Sequence, residues 1–140
     1  MRWLRDRHTV PSSVNRKIHY IRRQYINKPE LLAWCAGVFE GEGCVICRAN
    51  IKGGPKRYTM ATVSQKDRRL LDKFKNILGF GQIYKSRTGS KVHVWQVTSA
   101  SDVLRLYEYI APYIGPVKEK QFQAAFALAL KAAKQHGRVL

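Results

Sequence analysis

A chain of 140 residues, 45% of them hydrophobic, has enough apolar material for one core and too little length for two full domains. Its 26 Lys and Arg against 9 Asp and Glu give a net charge of +17 and a pI of about 10.3, which argues for a polyanionic partner, nucleic acid foremost. A solvated surface with no ligand is a poor explanation of so many unbalanced cations.

No run of about 18 apolar residues is present, so no membrane span is expected. Residues 1–25 lack the apolar centre of a secretory signal, while their Arg-rich, acid-poor character leaves an organellar transit peptide open beside a bacterial or phage cytoplasm. The three cysteines, Cys35, Cys44 and Cys47, are read as reduced thiols. No second Cys or His pair follows that would complete a zinc ribbon, and on a strand Cys44 and Cys47 would point to opposite faces.

Residues 1–28 hold eight Lys or Arg against Asp6 alone and read as a basic arm ahead of a domain at 29–140. Within the arm Val14, Ile18, Ile21 and Tyr25 recur at helical spacing after Pro11, giving an amphipathic basic helix that either grips phosphates or lies on the domain. Pro29 suits a first helical position and 31–39 is almost continuously apolar, so a helix is expected over 29–40, ended by Gly41 and Gly43. Residues 44–52 and 56–64 read as a hairpin around Gly53, Gly54 and Pro55. A helix follows over 67–78, stopped by Gly79 and Gly81. Residues 83–87 and 92–97 form a second hairpin, Ser101 caps a helix through 110, and a last helix runs over 117–134 with Phe122, Phe126, Ala129 and Ala133 on one side. The order predicts an α+β domain with helices on one face of an antiparallel sheet and the other face free for a ligand.

Ala33, Gly37 and Gly41 recur every four residues, leaving a helical stripe almost bare of side chains where a second backbone, from this chain or another copy, could approach closely. Glu40 and Glu42 flank the end of that stripe. Carboxylates near a phosphate-binding surface call either for a divalent cation or for neighbouring Arg or Lys.

The run 35–43, CAGVFEGEG, resembles the motif that names the LAGLIDADG homing endonucleases, and the element order over 29–134 resembles that family's αββαββα unit. Gln65 to Arg69, and Lys118 to Gln121 after Pro112 and Gly115, supply two further landmarks in the right order. The resemblance implies a site-specific double-strand DNA endonuclease. Glu42 would be the metal-binding acid, Glu40 a residue that shapes the helix end, Gln65 an orderer of solvent around the attacking water, and Lys118 a stabiliser of charge at the scissile phosphate. Arg68 would support them, in competition with Arg69. The implied cofactor is Mg²⁺, with Mn²⁺ a substitute. Glu stands at both positions where the spelled motif has Asp.

Only one copy of the motif is present, so cutting both strands implies a homodimer crossing at Ala33, Gly37 and Gly41, and a near-palindromic target. Alternation from Glu42 turns Cys44, Ile46, Arg48, Asn50 and Lys52 toward DNA and Val45, Cys47, Ala49 and Ile51 toward the core; the return strand offers Lys56, Tyr58, Met60 and Thr62. In the second hairpin Tyr84, Ser86 and Gln96 face outward, with Arg87, Lys91 and His93 near the tip and Ile83, Trp95 and Val97 inside. A nine-residue strand spans roughly 30 Å, or about nine base pairs, so two subunits would read about 18 to 20. Alternation turns Gln65 away from this face, so its role requires a bulge or the strand's end. The other readings are a non-cutting binder of the same fold, whether an intron RNA maturase or a DNA-binding regulator, and a small basic ribosome-associated protein, which explains the charge alone.

Overall fold

The computed structural model describes residues 28–49, 57–88 and 91–135. The basic arm and the tip of the first hairpin, with Asn50, Lys52 and Lys56, lie outside the described residues.

Pro29–Glu42 form α1, with Pro in the first turn and Glu30 beside the positive end of the helix dipole. The helix runs two residues beyond the expected end. Gly41 stays helical, and Gly43, in extended backbone, caps the helix through its N–H to Phe39 O. One glycine inside a helix costs about 1 kcal/mol, which does not by itself end one. Glu42 is therefore the last helical residue.

Gly43–Ala49 (β1), Arg57–Gln65 (β2), Gln82–Lys85 (β3) and His93–Val97 (β4) build one antiparallel sheet in the order β1-β2-β4-β3. Val45, Ala61, Val63, Trp95 and Val97 are buried on one face, and Ile83 packs against them. Cys44, Ile46, Arg48, Tyr58, Thr62, Tyr84 and Gln96 share the other face by register and alternation, as expected, and Ser64 and Gln82 join them there.

The inner face is covered by Arg68–Leu78 (α2), Ala100–Ile110 (α3) and Pro116–Gln135 (α4), with a 3₁₀ turn at Ala111–Tyr113 between the last two. In α2, Leu71, Phe74, Ile77 and Leu78 recur at helical spacing and are buried, Asp67 caps the N-terminus, and left-handed Gly79 closes the other end. Trp95 is the centre of the core: its Nε1 donates to Phe80 O at 2.9 Å and its ring meets Phe74 edge-on at 4.9 Å. Gly81 sits at φ 96° with its back against the Trp95 indole, which leaves no room for a Cβ.

The cap of α3 is Ser99 and not Ser101. Ser99 has extended backbone and its Oγ accepts from Asp102 N–H at 3.1 Å, whereas Ser101 already lies inside the first turn. Ser99→Ala is expected to destabilise the fold by about 1 kcal/mol in urea unfolding, with Ser101→Ala costing less.

Candidate active site and nucleic-acid interface

Two helices meet at Gly43. Phe39, one turn before it, stacks on Phe122 of α4 at 5.4 Å, and Lys118, one turn before Phe122, donates from Nζ to Gly43 O at 2.5 Å. The aromatic pair, worth about 1 kcal/mol beyond its buried area, fixes the axial register of α4 on α1, and that register delivers the ammonium to the carbonyl beside Glu42. The Cβ position of Gly43 is filled by the Phe39 ring, so any larger residue would push the two helices apart at the site.

Two further contacts hold the start of α4. Glu40 Oε2 accepts from Gly115 N–H at 3.1 Å, so this carboxylate ties the Pro–Gly turn to the end of α1. Glu119 Oε1 accepts from Tyr107 Oη at 2.6 Å and from Gln123 Nε2 at 3.0 Å, with burial and this carboxylate together pushing the Tyr107 phenol well above its ordinary range. Glu119 thereby anchors the turn that carries Lys118. Sequence reasoning assigned Glu119 no role; its place beside Lys118 was a signal, but the partner Tyr107 lies in another helix.

Glu42 is exposed and has no hydrogen-bond or ion-pair partner among the described residues. It stands at the negative end of the α1 dipole, in a last turn without basic residues, beside Glu40. Lys118 offsets part of this negative charge. The α1 stripe is also open: Gly37 and Gly41 are exposed, Ala33 is half-buried, and a Cβ built on either glycine meets nothing within 4 Å among the described residues.

Gln65 is the last residue of β2 and is half-buried. Pairing is regular through Gln65 opposite His93, so of the two expected alternatives the bulge is absent and the strand's end is what is found, with alternation placing Gln65 on the face of Val63. Gly43 pairs with Val63, and Gln65 lies two residues further toward the Glu42 end, about 7 Å along the strand. His93, at the turn end of β4 opposite Lys85, also shares that inner face, half-buried, with Nδ1 unpartnered among the described residues.

Arg68 and Arg69 follow at the start of α2 and differ in commitment. Arg69 makes a two-pronged contact with Asp67 at 3.0 Å, which holds the Asp67 carboxyl below its usual range. Arg68 meets Asp72 at 3.6 Å through one nitrogen and is the freer cation.

Over the open sheet face Arg48 is exposed and Tyr58, Thr62 and Gln96 are partly exposed, while at the turn of the second hairpin Arg87 and Lys91 are exposed and Ser86 partly so. Tyr84 Oη donates to Gln96 Oε1 at 2.6 Å. Gln82 and Ser64, exposed on the same face, were missed by sequence reasoning although alternation from Tyr84 and Thr62 would have found them. Ile46, Met60 and Val94 interrupt the polar surface. Cys44 is exposed at its Glu42 end, while burial pushes the Cys35 thiol up to about 12 and keeps it protonated.

Residues 35–128 match the LAGLIDADG endonuclease family. The chain belongs to that family. The intron-encoded DNA endonuclease ai2b of Dictyostelium discoideum is 30% identical over 84 residues, which are 58% of this chain and 31% of that protein; the chain thus spans about a third of that relative. The homing endonuclease I-CvuI, solved in complex with its target in the presence of calcium, shares the fold with a TM-score of 0.67 at 20% identity, over 79% of this chain and 73% of that one. I-TnaI matches with a TM-score of 0.59 at 17% identity, over 77% and 75%. The LAGLIDADG meganuclease I-AabMI, solved bound to uncleaved DNA, matches with a TM-score of 0.60 at 20% identity, over 79% of this chain and 38% of that one. The single LAGLIDADG unit of this chain therefore accounts for most of I-CvuI and well under half of I-AabMI.

Proposed function

We propose that the chain is a site-specific DNA endonuclease that acts as a homodimer on a near-palindromic double-stranded target with a divalent metal. The observation that carries this reading is the arrangement at Gly43, where the ammonium of Lys118 is fixed on the carbonyl of the residue next to the uncommitted Glu42, at the end of an open small-residue stripe.

The donor chemistry fits a hard divalent cation such as Mg²⁺. Glu42 offers an exposed carboxylate at a helix end already rich in negative charge. Among the described residues no three His, Cys, Asp or Glu are grouped to hold an ion, so the cation would take its other ligands from a second copy's Glu42 and from DNA oxygens. When bound, such a cation supplies neutralising charge at the scissile phosphate and a more acidic water.

The chain's own groups do the rest. Lys118 uses one of its three donors on Gly43 O and keeps two for phosphate oxygens, already oriented before DNA arrives. Gln65, at the strand end beside Gly43, can hold a water by its amide, and Arg68 adds a cation on the neighbouring helix start. The α1 stripe admits a second α1 at close range, which brings two such sites together about a two-fold axis. The open sheet face, continued by the charged hairpin residues, reads the major groove. The arm, residues 1–28, adds cations to the footprint on DNA or on intron RNA, alternatives that a salt titration of binding to each polymer separates.

Digestion of a randomised plasmid library with Mg²⁺, followed by sequencing of new ends, tests the proposal. Ends centred on one near-palindrome support it. Tight salt-sensitive binding without cutting would instead assign a non-cutting binder of this fold.

A further inference from the structure

We propose that Tyr84 and Gln96 act as one reading unit that selects guanine over adenine in the target. The inference rests on the DNA-reading function proposed above. On the open face Gln96 of β4 lies opposite Gln82 and Thr62, and Tyr84 lies opposite Val94, which makes Tyr84 and Gln96 diagonal neighbours across two strands. Their 2.6 Å contact is in the range of an O–H···O bond and shorter than an N–H···O bond. The amide is therefore held with Oε1 toward the phenol, and Nε2 makes no hydrogen bond among the described residues. Tyr84 is 44% exposed and Gln96 partly exposed, so the pair is open to a ligand on this face.

An unconstrained glutamine reads adenine with both ends of its amide, accepting from N6 and donating to N7. Here Oε1 is turned toward the phenol, one of its two lone pairs taken by the Tyr84 proton, and this orientation leads with the pair of Nε2 protons as the group presented to DNA. Guanine carries two neighbouring acceptors, O6 and N7, in the major groove. Adenine carries one acceptor beside an amine that would meet those protons donor to donor. Because the hydroxyl fixes the amide before binding, little rotamer freedom is lost on contact. In a homodimer the preference recurs at two symmetry-related positions.

Selection of bound duplexes from a randomised library by the full chain, its Tyr84→Phe variant and its Gln96→Ala variant tests this, with binding rather than cleavage as the readout. Gln96→Ala is expected to flatten the preference at one symmetric pair of positions. There the unaltered chain is expected to favour guanine over adenine by about tenfold, and Tyr84→Phe, which frees Oε1, to bring the two bases near parity or to favour adenine, with other positions unchanged. A guanine preference that survives Tyr84→Phe, an adenine preference in the unaltered chain, or no position sensitive to Gln96→Ala would overturn the unit while leaving DNA reading intact. A chain that selects no sequence at all would overturn the DNA-reading function as well.

Discussion

Glu42→Gln is expected to lose cleavage by about a thousandfold or more while folding and binding DNA as before. The side chain is exposed at the end of α1 and makes no hydrogen bond or ion pair with a described residue, so its charge holds no contact that the amide would remove. Removing a carboxylate from a phosphate-binding surface relieves repulsion, and binding in the absence of metal should strengthen slightly. Parallel measurements of Kd without metal and of plasmid linearisation with Mg²⁺ check both signs. Cleavage that survives the substitution would mean that Glu42 is not the metal-binding acid.

The second large effect separates two properties that usually move together. Gly37→Leu replaces an exposed helical glycine whose Cβ position is empty, so the single chain should gain up to about 1 kcal/mol from helix propensity. The same side chain stands on the stripe through which a second α1 would approach in the proposed homodimer. The variant is expected to melt no lower than the unaltered protein, to sediment as a monomer at concentrations where the unaltered protein is a dimer, and to lose double-strand cleavage by two orders of magnitude or more. A dimeric, active Gly37→Leu protein would place the interface elsewhere.

How much of this was legible before the fold was known depended on the range of the interactions. The alternation that buries Trp95 and Val97, turns Ile83 against the core and turns out Arg48, Thr62, Tyr84 and Gln96 is local, and period-two patterning carried it. The α1 stripe was legible for the same reason, since three small residues at a spacing of four fix one helical face. The helix ends were less so. Gly41 reads as a terminator and is not one, because one glycine costs a helix only about 1 kcal/mol and the backbone turns extended at Gly43; of the two serines before Asp102, only Ser99 stands at the capping offset with extended backbone. The contacts that make a site of Glu42 join residues 75 positions apart: Lys118 to Gly43 O and Gly115 to Glu40. No periodicity encodes them, and resemblance to the LAGLIDADG motifs was what brought Lys118 forward. Gln65 shows the limit of strand logic, since alternation gives its face but only the register of β1 on β2 places it past Gly43 at the Glu42 end of the sheet.

Mixing the chain with its Lys118→Gln variant, then digesting a supercoiled plasmid that carries one copy of the target, tests most directly whether two chains supply one site each. Lys118 is held by Gly43 of its own chain, so each ammonium belongs to one half of the dimer. The account predicts that the variant alone cuts at most slowly, that mixed dimers cut one strand, and that nicked circles therefore rise to a maximum near equal proportions. Linear product that falls with the mixing ratio, with no nicked circles at any proportion, would contradict it.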